Sequence, residues 1–303
     1  MYVIMSTFKK ECIMNWINNT ASEAAEELAR LNQNVKDFSV SGFGLKVKVE
    51  RLIRLLRSAL YPNIFCETGM PLSQVQSYIC LNIEKAGLLL MEICGDILRN
   101  PRTNHKSLTT SEIADVSRVF LSSLPEIAIH LHTDVIAAYE GDPAAKSTEE
   151  ILLAYPSFEA ISVFRLAHRL QELGVPMLPR MMTEFAHSKT GIDIHPGAQI
   201  GDYFFIDHGT GVVIGETTII GDHVKLYQGV TLGARSFPSD ENGNPIKGIQ
   251  RHPRIGNNVV IYSHATILGG DTVIGDGCII GGNVWITHSV EAGSVVYTSA
   301  VDQ

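Results

Sequence analysis

Asp207 and His208 lie in the stretch IDHGTGVVIGETTIIG, Ile206 to Gly221, at a point where a repeated pattern slips. Aliphatic residues recur every six positions at Ile194, Ile200 and Ile206, and again at Ile214, Ile220, Leu226 and Leu232, but the step from 206 to 214 is eight. Histidine is the side chain whose ordinary pKa suits proton transfer near neutral pH. An irregularity inside an otherwise regular lattice is where function is expected. His208 is therefore the leading catalytic candidate, with Asp207 beside it.

A second concentration of chemistry closes the longest gap in the pattern, 23 residues from Leu232 to Ile255. The segment GARSFPSDENGNPIKGIQRHPR must protrude as a loop, and it carries Arg235, Lys247, Arg251 and Arg254 against Asp240 and Glu241. That local positive excess suits a carboxylate or a phosphate. It stands out because the chain as a whole is acidic, with a formal net charge of -8, which argues against a nucleic-acid partner. The five cysteines are odd in number, far apart and never in CxxC spacing, so neither a disulfide framework nor a zinc site is expected. The N-terminal stretch MYVIMSTFKKECIMN meets lysine and glutamate too early for a signal peptide, and no apolar run approaches the roughly 20 residues of a membrane span. The expected location is the cytoplasm.

Two kinds of element must position these residues. Residues 1–188 read as a helical domain: Leu72 to Leu98 and Ser111 to Glu140 carry apolar residues at three-to-four spacing, and Ser147 to Glu150 (STEE) reads as a capping box before a further helix broken near Pro156. Residues 189–303 read as a hexapeptide-repeat β-helix whose interior positions, Ile194, Ile200, Ile206, Ile214, Ile220, Leu226, Leu232, Ile255, Ile261, Ile267, Ile274, Ile280 and Ile286, are all Ile or Leu. The repeat also runs one residue long between Ile267 and Ile274, and residues 233–254 form the excursion. Six residues per face give a three-sided coil stacked at strand spacing. A prism of that kind has a packed core and no internal pocket, so sites are expected on its outer faces or between subunits. The fold class is α + β, an N-terminal helical domain followed by a left-handed parallel β-helix.

Taken together, DIHPGAQIG, DHGTGVVIGET, GVTLG and RHP closely resemble the serine acetyltransferases, hexapeptide-repeat enzymes that move an acetyl group from acetyl-CoA to the hydroxyl of L-serine. The resemblance implies that His208 is the general base and that Asp193 orients its imidazole. It implies that Arg251 and His252 bind the serine carboxylate and hydroxyl, and that Asp142 and Asp207 receive the substrate ammonium. Acetyl-CoA is implied near Gly233, Ala234 and Ser263 as a co-substrate, with no metal, in a homotrimer or a dimer of trimers feedback-inhibited by L-cysteine. Three departures accompany it: Ala234 stands where a second glycine is common, Ile279 where some relatives carry a lysine, and the chain ends in SAVDQ at Gln303 rather than in isoleucine. The last predicts weak or absent complex formation with O-acetylserine sulfhydrylase. Rival readings are an acetyltransferase of sugar or antibiotic hydroxyls, a metal-dependent β-helix carbonic anhydrase, and a non-catalytic trimerising scaffold. The second is disfavoured because none of His195, His208, His223, His252 and His264 stands five residues from another.

Overall fold

The computed structural model describes residues 19–31, 42–66, 69–98, 109–236, 239–241, 243–244, 246 and 248–297. Cys12, Lys247 and the tail from 298 to Gln303 lie outside the described residues. The chain divides into two compact units, Met1–Ser41 and Gly42–Gln303. Within the first, residues 19–31 form helix α1, exposed at every position.

The second unit opens with helices α2 (Gly42–Leu60), α3 (Pro62–Phe65), α4 (Leu72–Leu98), α5 (Thr110–Ser122), α6 (Leu124–Gly141), α7 (Thr148–Ala154), α8 (Pro156–Glu172) and α9 (Leu178–Thr190). Helical spacing of apolar residues drives their packing. Leu45, Val49, Leu52 and Leu56 of α2 are buried, as are Ala86, Leu90, Ile93 and Ile97 of α4, and the two helices lie against each other. The apolar-periodic stretch from Ser111 to Glu140 forms two helices, because Pro125 belongs to the first turn of α6, where its missing N–H is harmless, and the chain breaks at Ser123. The expected capping box at Ser147 is half formed: Ser147 accepts the N–H of Glu150 at 3.2 Å, but the Glu150 carboxylate accepts the N–H of Lys146. A complete box caps α5 instead, between Thr109 and Glu112. Pro156 does start a new helix, with Tyr155 ending α7 and preceding α8.

Among the described residues fourteen short strands follow in three parallel sheets, the left-handed β-helix. The first sheet is β1 (Asp193–Ile194), β4 (Val213–Ile214), β7 (Thr231–Gly233), β10 (Thr266–Leu268) and β13 (Trp285–Ile286). The second is β2 (Gln199–Ile200), β5 (Ile219–Ile220), β8 (Arg254–Ile255) and β11 (Val273–Ile274). The third is β3 (Phe205–Ile206), β6 (Lys225–Leu226), β9 (Val260–Ile261), β12 (Ile279–Ile280) and β14 (Val295–Val296). The repeat's aliphatic residues face one another in register, Ile194 on Ile214, Leu232, Ile267 and Ile286 in the first sheet, and all of the thirteen except half-buried Ile200 are buried. Leu232 and Ile255 are both on the lattice, so the chain between them leaves the prism as an excursion and returns.

A buried ion pair fastens the helices to the first coil. The guanidinium of Arg165 on α8 donates to both Asp134 oxygens, at 3.0 and 2.9 Å, and to the carbonyls of Ile200 and Gly201 at 2.6 Å each, while Asp134 on α6 also accepts the N–H of Phe204. Each of these carboxylate and carbonyl oxygens has a donor, which is what makes a buried pair tolerable.

Candidate active site

The slip at 206–214 resolves to two residues. On the edge between the third and first sheets, successive turns stack in register: Gly211 donates to Gly191, Gly229 to Thr210, His264 to Gln228 and Asn283 to Ser263. Asp207 is still in the ladder, donating to Leu226, and Thr210 is back in it. His208 and Gly209 are therefore the inserted pair, and the His208 side chain is 73% exposed. Gly209 has φ +95, and a Cβ there would fall 2.4 Å from Cδ1 of Ile192, so the residue that completes the bulge must be glycine.

Carboxylates gather around that bulge. Asp207 Oδ1 lies 3.9 Å from His208 Nε2, and Asp207 Oδ2 pairs with Lys225 Nζ at 3.1 Å. Asp142, immediately after α6, accepts the Tyr155 hydroxyl at 2.5 Å and the N–H of Ala144 at 2.8 Å. The Tyr155 hydrogen bond, then the Ala144 N–H, and then the positive charge of Lys225 hold the Asp142 carboxyl below the usual carboxylate range. The same hydrogen bond pushes the Tyr155 hydroxyl up to about 12.

The edge between the first and second sheets carries a different cluster. The His252 ring is buried against Gly215, where a Cβ would fall 2.0 Å from its Cδ2. The backbone N–H of Thr217 donates to His252 Nδ1 at 3.1 Å, which fixes the proton on Nε2. Burial, and then the adjacent Arg251 charge, lower the His252 pKa to about 4, so the ring is a neutral donor at physiological pH. Arg251 pairs with Glu216. Burial disfavours the Glu216 charge, but the Arg251 hydrogen bond and charge outweigh it and hold the carboxyl low. His195 sits beneath, its Nδ1 accepting the N–H of Gly197 at 3.0 Å, and burial lowers its pKa.

In one chain the sequence-derived residues thus divide between two edges. Asp142, Asp207 and His208 come together, with Ser263 higher on the same edge; Arg251 and His252 come together on the other, where Gly233 and Ala234 begin the excursion. There Arg235, Gln250, Arg251, Gly269, Gly270 and Thr272 help to line a cleft of about 520 Å³. Asp193 stands on β1, 3.4 Å from Arg180, and no hydrogen bond or ion pair among the described residues joins it to His208. One group among the described residues, Glu184, His187 and Asp193, offers three donors to a metal ion, but Arg180 already pairs with both of its carboxylates. Sequence reasoning missed Tyr155 and Lys225, which no period or motif marks, and Glu216, which stands within DHGTGVVIGET but was given no role; they emerge only as partners of residues already chosen.

Known proteins similar to this chain identify its family. Residues 90–182 match the family described as serine acetyltransferase, N-terminal. The chain is 51% identical over 250 residues to a plasmid serine acetyltransferase of Synechococcus elongatus, covering 80% of this chain and 77% of the relative. Among solved structures, serine acetyltransferase 1 of Entamoeba histolytica in complex with L-cysteine superimposes with a TM-score of 0.72 at 38% identity, over 82% of this chain and 86% of that one. The Neisseria gonorrhoeae enzyme in complex with serine does so with a TM-score of 0.54 at 26% identity, over 82% of this chain and 95% of that one. The chain therefore belongs to the serine acetyltransferases, acyltransferases built on a left-handed β-helix.

Proposed function

We propose that the protein transfers the acetyl group of acetyl-CoA to the hydroxyl of L-serine, with His208 as general base, in a homotrimer that completes each site across neighbouring copies. The observation that carries this reading is the inserted pair at 208–209, which lifts an exposed imidazole out of the lattice beside two carboxylates. A serine zwitterion needs an anionic and a cationic partner. In one chain these lie on different edges, Asp142 with Asp207 and Arg251 with His252, so two copies side by side supply both. Asp193 belongs to the constellation on the family resemblance, as the carboxylate that orients the His208 imidazole; in the single chain it lies against Arg180.

In the reaction the serine oxygen attacks the thioester carbonyl as the imidazole takes its proton. The tetrahedral intermediate then collapses, breaking the carbon–sulfur bond, and the departing CoA sulfur receives the proton from the imidazolium. A thioester is electrophilic enough for this without a metal. Gly233, Ala234 and Ser263 flank the path of acetyl-CoA, and the cleft beside Arg235 and Arg251 suits its anionic groups. L-cysteine, with the same zwitterionic frame as serine, is the expected competitive inhibitor, a reading supported by the Entamoeba complex.

The test is thiol release from acetyl-CoA with L-serine, set beside a panel of sugar and antibiotic hydroxyls and repeated with His208→Ala. We expect serine-dependent release that falls about 10² to 10⁴-fold in the variant. Near-full activity of His208→Ala would remove the base from this assignment, and release only with another acceptor would overturn the amino-acid reading.

A further inference from the structure

The helical half holds a second charged cavity, which shares no residue with either charged edge of the prism. It measures about 240 Å³, and Arg54 and Arg57 of α2, Phe65 of α3, Glu159 of α8, and Phe185 and Lys189 of α9 help to line it. Two of its cations are backed by rings: the Arg57 guanidinium carbon lies 4.4 Å from the centre of Phe65, and Lys189 Nζ lies 4.1 Å from that of Phe185. A ring face steadies a cation without consuming a carboxylate, so the N–H donors stay available to an anion. Arg57 is nine-tenths buried, yet only its Nη1 meets an acid, Glu159, and its Nε is buried with no hydrogen-bond partner among the described residues. The hydroxyl of Tyr61, whose ring meets Phe65 edge-on with centres 6.5 Å apart, is a second buried group without a partner. Polar groups left so in a packed interior are rare and call for a ligand or a water.

The charges around the cavity do not cancel. Glu159 offsets Arg57, and Glu50, one turn before Arg54 on α2, offsets that arginine, which leaves Lys189. Lys189 is exposed and its one contact is the Phe185 ring, a surplus cation in a chain of net charge -8. We infer that this cavity binds a small organic monoanion, a carboxylate on a flat apolar body, the carboxylate taken by Arg57 and Lys189 and the body by Phe65 and Phe185. Arginine presents parallel N–H groups that match the two oxygens of a carboxylate. One surplus charge suits a monoanion, whereas a phosphate dianion would stay uncompensated beside Glu159. The inference is independent of the serine reading, since none of these residues belongs to the site proposed for that reaction.

The experiment is titration calorimetry with thermal melts on the full-length chain, without serine or acetyl-CoA, using phenylacetate, its uncharged amide, acetate and inorganic phosphate. We expect phenylacetate to bind saturably, one per chain, and to raise the melting temperature with its concentration. The amide lacks the charge and acetate lacks the body, so each should bind at least about tenfold more weakly. Lys189→Met should weaken phenylacetate binding about three- to tenfold, and Arg57→Lys, which keeps the charge but loses the fork, about tenfold or more. Arg251→Ala should leave it within about twofold. The inference falls if phenylacetate shows no saturation up to about 10 mM, or if phosphate binds more tightly than phenylacetate. It falls equally if Lys189→Met leaves the affinity unchanged; loss of binding in Arg251→Ala would then place the carboxylate on the β-helix edge. Should Arg57→Lys melt below the assay temperature, the exposed substitution Lys189→Met decides alone.

Discussion

His252 shows how one side chain is prepared before any substrate arrives. Its Nδ1 is committed to the Thr217 N–H, its ring lies on the bare Cα of Gly215, and its pKa is down at about 4, so the Nε2 proton remains available to an oxygen. Stability should report the same fact. An unfolded histidine binds a proton near 6.5, whereas the folded ring refuses it until about 4, so the folded state binds fewer protons between those values. The contribution is complete above about 6.5, is lost as pH falls towards 4, and amounts to about 3 kcal/mol. His252→Asn, which retains an acceptor for Thr217 but does not titrate, should flatten that part of the curve in denaturant melts from pH 7 to 4. An unchanged slope would mean that the ring is protonated in the folded protein. At this scale the sequence was legible where arithmetic exposed a residue. His208 appears as a two-residue slip, whereas the adjacent Asp222 and His223 fall on a regular corner, where His223 simply stacks on Tyr203. Tyr155 and Lys225 could not be read, because each meets its carboxylate through the fold, Lys225 reaching Gly141 across 84 positions.

Between the residues and the molecule stand the coils. Their period made them legible, since each aliphatic position stacks on the one a coil below and a slip is visible against that regularity. The helices were legible as faces but not at their ends. The break at Ser123 is set by Pro125, and the cap of α5 is set by Thr109 and Glu112, both local devices that an apolar period does not record. The turn that presents His208 makes its own prediction. Gly209→Ala must place a methyl 2.4 Å from Ile192 at φ +95, so we expect a loss of about 1–3 kcal/mol in denaturant unfolding together with a fall in kcat, as the bulge reshapes and the imidazole shifts. A fully active variant of unaltered stability would show that the turn does not set the position of His208.

For the molecule as a whole, the decisive feature is that the two charged clusters occupy different edges of one prism. The motifs supplied the members of both, but not their separation, because the side of a three-sided coil on which a residue falls depends on counting through the eight-residue step and the excursion. No described helix is long and apolar enough to cross a membrane. In the proposed trimer each site would take His208 from one copy and Arg251 from the next. Two defective forms, His208→Ala and Arg251→Ala, should each be nearly inactive alone, yet unfolding and refolding an equal mixture should restore about a quarter of the normal activity, since about one site in four then draws both halves from intact edges. Mixed assemblies with no recovery would place the whole site within one copy. In a cell carrying both alleles the same geometry becomes intragenic complementation: two genes, each a null by itself, would together sustain growth without cysteine.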